Sequence, residues 1–442
     1  MKRAIVWLGA TAMLGCGNGS GTARTSGDGE SSGIGSVSAD SGGSTAGTDA
    51  TAGSMTAGEG GTSSGGVTAA TTANDSAADG PKFDLGTTPD VDLHCGAGGK
   101  GGGGGATDFS YIWIANSNES TVSKINTQTL VEEGRYITRP DSNGNPSRTS
   151  VNLNGDMAIA NRSGGVTMIY ALIDNCPNPA NTSSGPADVK PWPDGCVGWH
   201  TPMAYISQRP VAWTSGVWND TLCRWDDTKL WTSGASDPLS DVVLLDGETG
   251  TIEQTVPLPG EVIASYFGIY GAAVNSVNDF WGSQLGIGHI VRVDFASFDV
   301  ETFPMATSGY GMAVDRNDRV WTCAYEAGRF DYDAGTWQTA LVNGGGGCMP
   351  DGQDLIWFAN DPLVAVDIET LGVVQTIDIP NYVHGVSIDF DGNVWGPAIY
   401  NNEAYRVDPA TGIVDTVAGL NYPYTYSDMT GFGLSQVGNP SG

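Results

Sequence analysis

Residues 384–420 read HGVSIDFDGNVWGPAIYNNEAYRVDPATGIVDTVAGL. A short apolar run (386–389) is followed by the turn Asp391-Gly392-Asn393, and Val394-Trp395 opens a second run. Asn401-Asn402 makes the next turn, residues 404–407 alternate as a third strand, and Asp408-Pro409-Ala410-Thr411-Gly412 turns into a fourth at 413–417. Gly supplies the positive φ such turns require, and Asx side chains bond the backbone just ahead of them. Four short antiparallel strands with no helical period make one blade of a β-propeller.

Working outward, the tryptophan of the second strand recurs. Trp113, Trp231, Trp281, Trp321, Trp357 and Trp395 share this frame, with Ala158 as a substitute in a seventh unit. The last four are 40, 36 and 38 residues apart, the spacing of four-stranded blades. Asn152, Asn275, Asp315, Asp351 and Asp389 end first strands, and Gly271, Gly311, Gly347 and Gly385 stand four residues before an Asx. The fold expected is all-β, a seven-bladed propeller over residues 107–442 with an insertion near 171–225. Tyr111-Ile112-Trp113-Ile114 begins as a second strand with no first strand before it. Thr430-Gly431-Phe432-Gly433-Leu434 matches a first strand with no blade after it. A C-terminal strand pairing in the N-terminal blade would close the ring and remove the open sheet edges.

Ahead of the repeats, Met1-Lys2-Arg3 and an apolar run to Leu14 have the form of a signal peptide. Met13-Leu14-Gly15-Cys16 resembles a bacterial lipobox, which assigns residues 1–16 to a lipoprotein signal with Cys16 as the lipidated residue. Residues 17–106 are almost wholly Gly, Ser, Thr, Ala and Asp, too poor in apolar side chains to offset the entropy of ordering, and are expected to form a disordered tether. The expected place is the cell envelope, facing periplasm or exterior, with the membrane engaged through the anchor.

The chain carries a formal charge of −30; residues 1–106 hold ten acids and five bases, leaving 39 acids against 14 bases beyond them. Such a surface excludes nucleic acid as a partner. Asp246, Asp294, Asp367 and Asp408 each end a third strand, with Asn126 in the same place, so turn formation accounts for them. Apart from Cys16 there are six cysteines, an even number in an exported chain. Cys176 with Cys196 closes a loop inside the insertion, Cys323 and Cys348 fall on adjacent repeats, and elimination leaves Cys95 with Cys223.

GVSIDFDGNVW with AYRVDPATG, and GMAVDRNDRVW, resemble the repeats of streptogramin lyase-like and NHL-type propellers across most of residues 107–434. In the lyase the resemblance implies histidines, a glutamate and a bound magnesium ion. At the corresponding glutamate position this chain has Asn116, Gln284, Ala324, Asn360 and Ala398, so the lyase chemistry does not carry over residue by residue.

Loops that enter the first strands share one face of a propeller with loops between second and third strands. Tyr270, Tyr310 and His384 precede the repeated Gly and ring that mouth, with Arg148 replacing the Gly in blade two. Asn116, Asn360 and Asn401 come from the between-strand loops. Rings, amides and a guanidinium suit a sugar, peptide or small anion. The expected function is a lipid-anchored binding or scaffold module for a protein or glycan partner. The alternative is an envelope lyase or metal-dependent hydrolase using His384 with Glu326 or Glu403 and a divalent cation, magnesium or calcium.

Overall fold

The computed structural model describes residues 110–219, 221–262 and 267–437. Cys16, Cys95 and the proposed tether lie outside them, as therefore does the pairing suggested for Cys95 and Cys223. Among the described residues, seven antiparallel sheets of three or four strands follow one another, each with its strands in sequence order. Blade one has Tyr111–Asn116, Thr121–Asn126 and Glu132–Ile137. Blade two has Pro146–Val151, Met157–Asn161, Val166–Ile169 and Val197–Thr201. Blade three runs from Ser207–Trp213 through Lys229–Ser236 and Leu239–Asp246 to Ile252–Pro257. Blades four to seven begin at Ile269–Val274, Gly311–Val314, Cys348–Pro350 and Ser387–Ile388.

The stretch 171–225, expected as a single insertion, is divided. A loop between Val166–Ile169 and Val197–Thr201 carries the Cys176–Cys196 disulfide. A separate small hairpin, Val217–Asn219 with Arg224–Asp226, follows the first strand of blade three. Two regular strands lie between them. Cys323 and Cys348 are also disulfide-bonded, linking blade five to blade six.

The frame tryptophans are all fully enclosed in the core, as is Ala158. In two blades the Asp ending a first strand is bonded to the tryptophan six residues later. In blade seven, Asp389 Oδ1 accepts the N–H groups of Asp391 and Asn393, and its Oδ2 accepts the Trp395 indole N–H at 2.8 Å. Asp315 does the same for Asn317, Arg319 and Trp321. One carboxylate thereby holds the hairpin turn and satisfies a polar atom that the core would otherwise orphan. The third-strand acids also serve their own turns: Asp246, Asp294, Asp367 and Asp408 each accept backbone N–H groups two or three residues ahead. That turn places a left-handed residue four after the Asx. Gly250 and Gly412 provide it, whereas Leu130, Phe298 and Leu371 adopt φ of 63°, 63° and 59° without being glycine.

Residues 422–429 run beside Tyr111–Asn116. The N–H of Tyr424 donates to Ala115 O at 3.2 Å and that of Trp113 to Met429 O at 2.9 Å, with an antiparallel bridge between Asn116 and Pro423. The segment expected to do this, 430–434, instead turns into the helix Phe432–Val437. Asp428 causes the turn, its carboxylate accepting the N–H groups of Gly431 at 2.9 Å and Leu434 at 2.8 Å. The helix covers the end of the channel where first strands finish. Leu434 and Val437 line a cavity of about 50 Å³ there with Val211, Ala273, Met312 and Met349.

Candidate functional site

The opposite end of the channel is where the first strands begin. Neighbouring strands approach closely there because of the repeated glycines: a Cβ on Gly385 would overlap the Thr425 carbonyl and the Tyr426 Cα, and one on Gly311 would meet the Gly347 Cα. The residue before each such glycine is thereby held at the axis. Tyr270, Tyr310 and His384, expected together from sequence, do meet. The Tyr310 and His384 rings are 4.5 Å apart edge to face, and those of Tyr270 and Tyr310 are 5.0 Å apart.

The closing segment adds two more rings. Tyr270 Oη lies 3.0 Å from Tyr310 Oη and 2.9 Å from Tyr424 Oη, and Tyr310 and Tyr424 are themselves hydrogen-bonded, so three phenols form a closed triangle. Tyr426 packs against Tyr310 and His384 beneath them.

Arg148 enters the same cluster. Its guanidinium stacks on the Tyr426 ring and donates from Nη2 to the Tyr270 carbonyl at 2.6 Å. Burial pushes its pKa down to about 9, and the nearby Arg209 adds to this. Arg209, on the first strand of blade three, lies 4.7 Å over the Tyr270 ring; Arg162, in the turn after Met157–Asn161, lies 4.2 Å over Tyr424. Burial alone would raise the Tyr270 phenol, but Arg209 and Arg148 outweigh it and leave the group below its ordinary value. Tyr310 and Tyr424 are instead raised, chiefly by burial.

His384 is only partly exposed. Its pKa is pushed down to about 3, first by burial and then by Arg148 and Arg162. Tyr382 Oη is 2.7 Å from Gly345 O and 2.6 Å from His384 Nδ1. The phenol has one proton, which goes to the carbonyl; Nδ1 is then the donor, and Nε2 is left as a buried lone pair with no partner.

The other residues singled out from sequence make different contacts. Asn116 is buried, donates to Ser123 Oγ at 2.7 Å and accepts the Asn421 N–H. Asn360 donates to Asn343 O, and Asn401 is exposed. Glu326 is exposed at the start of its strand, while Glu403 accepts the Tyr405 hydroxyl at 2.8 Å. The rings packed on His384 are those of Tyr310, Tyr382, Tyr424 and Tyr426. No group of three or more His, Cys, Asp or Glu suited to hold a metal occurs among the described residues.

Arg209, Tyr382, Tyr424 and Tyr426 escaped the sequence reading. For the last two a signal was present: tyrosines at 422, 424 and 426 alternate, as side chains on one face of a strand do.

No family model and no curated protein matches the chain. Several solved structures are similar. Virginiamycin B lyase from Staphylococcus aureus aligns at 12% identity over 62% of this chain and 84% of its own, with a TM-score of 0.45. The dihydro-heme d1 dehydrogenase NirN aligns at 12% over 70% of this chain and 63% of its own, TM-score 0.47. A protein from Lactobacillus plantarum aligns at 10% over 72% and 98%, TM-score 0.48. These likenesses concern the propeller fold.

Proposed function

We propose that this chain is a binding module that presents the first-strand mouth of its propeller to a protein or glycan partner, held at the cell envelope by a lipid on Cys16 and a tether over residues 17–106. The observation that carries the reading is the convergence of Tyr270, Tyr310, Tyr424, His384 and Arg148 at one mouth. Flat rings and directed donors recognise polar ligands. Burial first, and then the guanidinium groups of Arg148 and Arg162, oppose protonation of His384, which suits a hydrogen-bond acceptor better than a proton shuttle near neutral pH.

The test is a glycan and peptide array probed with the full chain and with Tyr310→Ala, alongside thermal melting with magnesium or calcium. Binding that disappears in the variant, with no shift from either cation, is the expected result. A partner retained equally by Tyr310→Ala would overturn the reading. A melting temperature that rises with the cation and falls back in His384→Ala would favour the metal-dependent lyase or hydrolase instead.

A further inference from the structure

Fourteen lysines and arginines lie among the described residues. Ten are ion-paired with carboxylates: Arg292 with Asp279, Asp294 and Glu301 is typical. Lys124 donates to the Ala171 carbonyl. The three left over are Arg148, Arg162 and Arg209, and all three sit in the tyrosine-lined mouth. In so acidic a protein, leaving three guanidinium groups together without an acid runs against simple electrostatics, since like charges in a partly desolvated site repel.

A second observation at the same place concerns unmet hydrogen bonds. Arg148 Nε and Nη1, Arg162 Nε, His384 Nε2 and the Tyr426 hydroxyl are all buried without a partner. Arg148 is only 1% exposed. Buried polar atoms are rarely left unpaired, and a cluster of them signals a group that completes the site. Four of the five can donate to oxygen. The fifth, His384 Nε2, is an acceptor in the tautomer fixed by Tyr382, so it asks for a hydroxyl.

We infer that the mouth binds a carboxylate-bearing sugar, its carboxylate held by Arg148, Arg162 and Arg209, one hydroxyl donating to His384 Nε2, and its C–H face resting on tyrosine rings. Guanidinium groups match carboxylate oxygens in geometry and charge. This inference rests on the binding reading above and names its ligand class.

Trigalacturonate and its methyl ester present the same sugar with and without charge. Calorimetric titration of the full chain should give saturable binding of the acid, at least tenfold weaker binding of the ester, and weakening with added salt. Arg162→Met should lower affinity for the acid at least tenfold while leaving the melting temperature of the free protein in place. Arg148→Met is the less secure variant, because that side chain also supports the Tyr270 carbonyl. Acid and ester binding equally, or no binding of the acid, would overturn the inference. So would absorbance near 295 nm at pH 7 showing a Tyr270 phenolate that trigalacturonate leaves unchanged, since the counter-charge would then be internal. In each case an array partner lost in Tyr310→Ala would leave the binding reading standing, so the two failures are distinguishable.

Discussion

The phenol oxygens of Tyr270 and Tyr424 lie 2.9 Å apart, although 154 residues separate them in sequence. One stands on the first strand of blade four and the other on the segment that completes blade one. The triangle they form with Tyr310 therefore ties the closing segment to the far side of the ring. Tyr424→Phe removes an oxygen shared by two partners and should cost about 1–2 kcal/mol by urea unfolding. An unchanged midpoint would mean that the triangle adds nothing to closure.

Termination after residue 421 removes every backbone bond that Tyr111–Asn116 receives from the chain end. It also uncovers the cavity lined by Leu434 and Val437 by deleting the helix. The truncated protein should lose its single cooperative melting transition, with blade one the first region to exchange its amides. A truncated protein that melted like the intact one would show that closure lies elsewhere.

Asp389 ties its turn to the indole of Trp395. Asp389→Ala leaves that N–H buried and unpaired and should cost about 2–3 kcal/mol; Asp389→Asn keeps an acceptor oxygen and should cost less. Equal losses in the two variants, measured by denaturant titration, would argue that only the negative charge matters.

Asp156 is buried in the first hairpin of blade two, where its carboxylate accepts the Ala171 N–H at 3.0 Å. Burial pushes its pKa up to about 7. An unfolded Asp titrates near 4, so between about pH 4 and 7 the folded state binds more protons than the unfolded one. Stability from this group is greatest at the acid end of that window and is lost as pH rises through it. Asp156→Asn should raise the melting temperature at pH 8 more than at pH 5; an equal change at both would contradict the assignment.

Much of the blade plan was legible because it rests on local chemistry. Asp389, the Asp391-Gly392 turn and Trp395 span seven residues and build one hairpin, so their spacing carries their structure. The mouth was half legible for the same reason: Tyr270, Tyr310 and His384 hold one position in a repeated frame. Arg209 occupies the start of a first strand too, but its blade lacks the repeated glycine and follows an irregular loop, so nothing local marks it. The closing segment was misplaced because a residue pattern resembling a first strand continues into 430–434. Asp428 overrides that pattern by accepting N–H groups up to six residues ahead, an interaction that composition does not announce.

The closing segment follows every other strand in chain order. A ribosome or an export channel that delivers the chain from its N-terminus releases blade one first and the segment that lines its inner edge last. Throughout that interval the backbone of Trp113 and Ala115 presents an unfilled strand edge, and the tyrosine mouth lacks two of its rings. The ring and its mouth are therefore completed in one late event, and a nascent chain stalled before residue 422 has neither a closed core nor an assembled site.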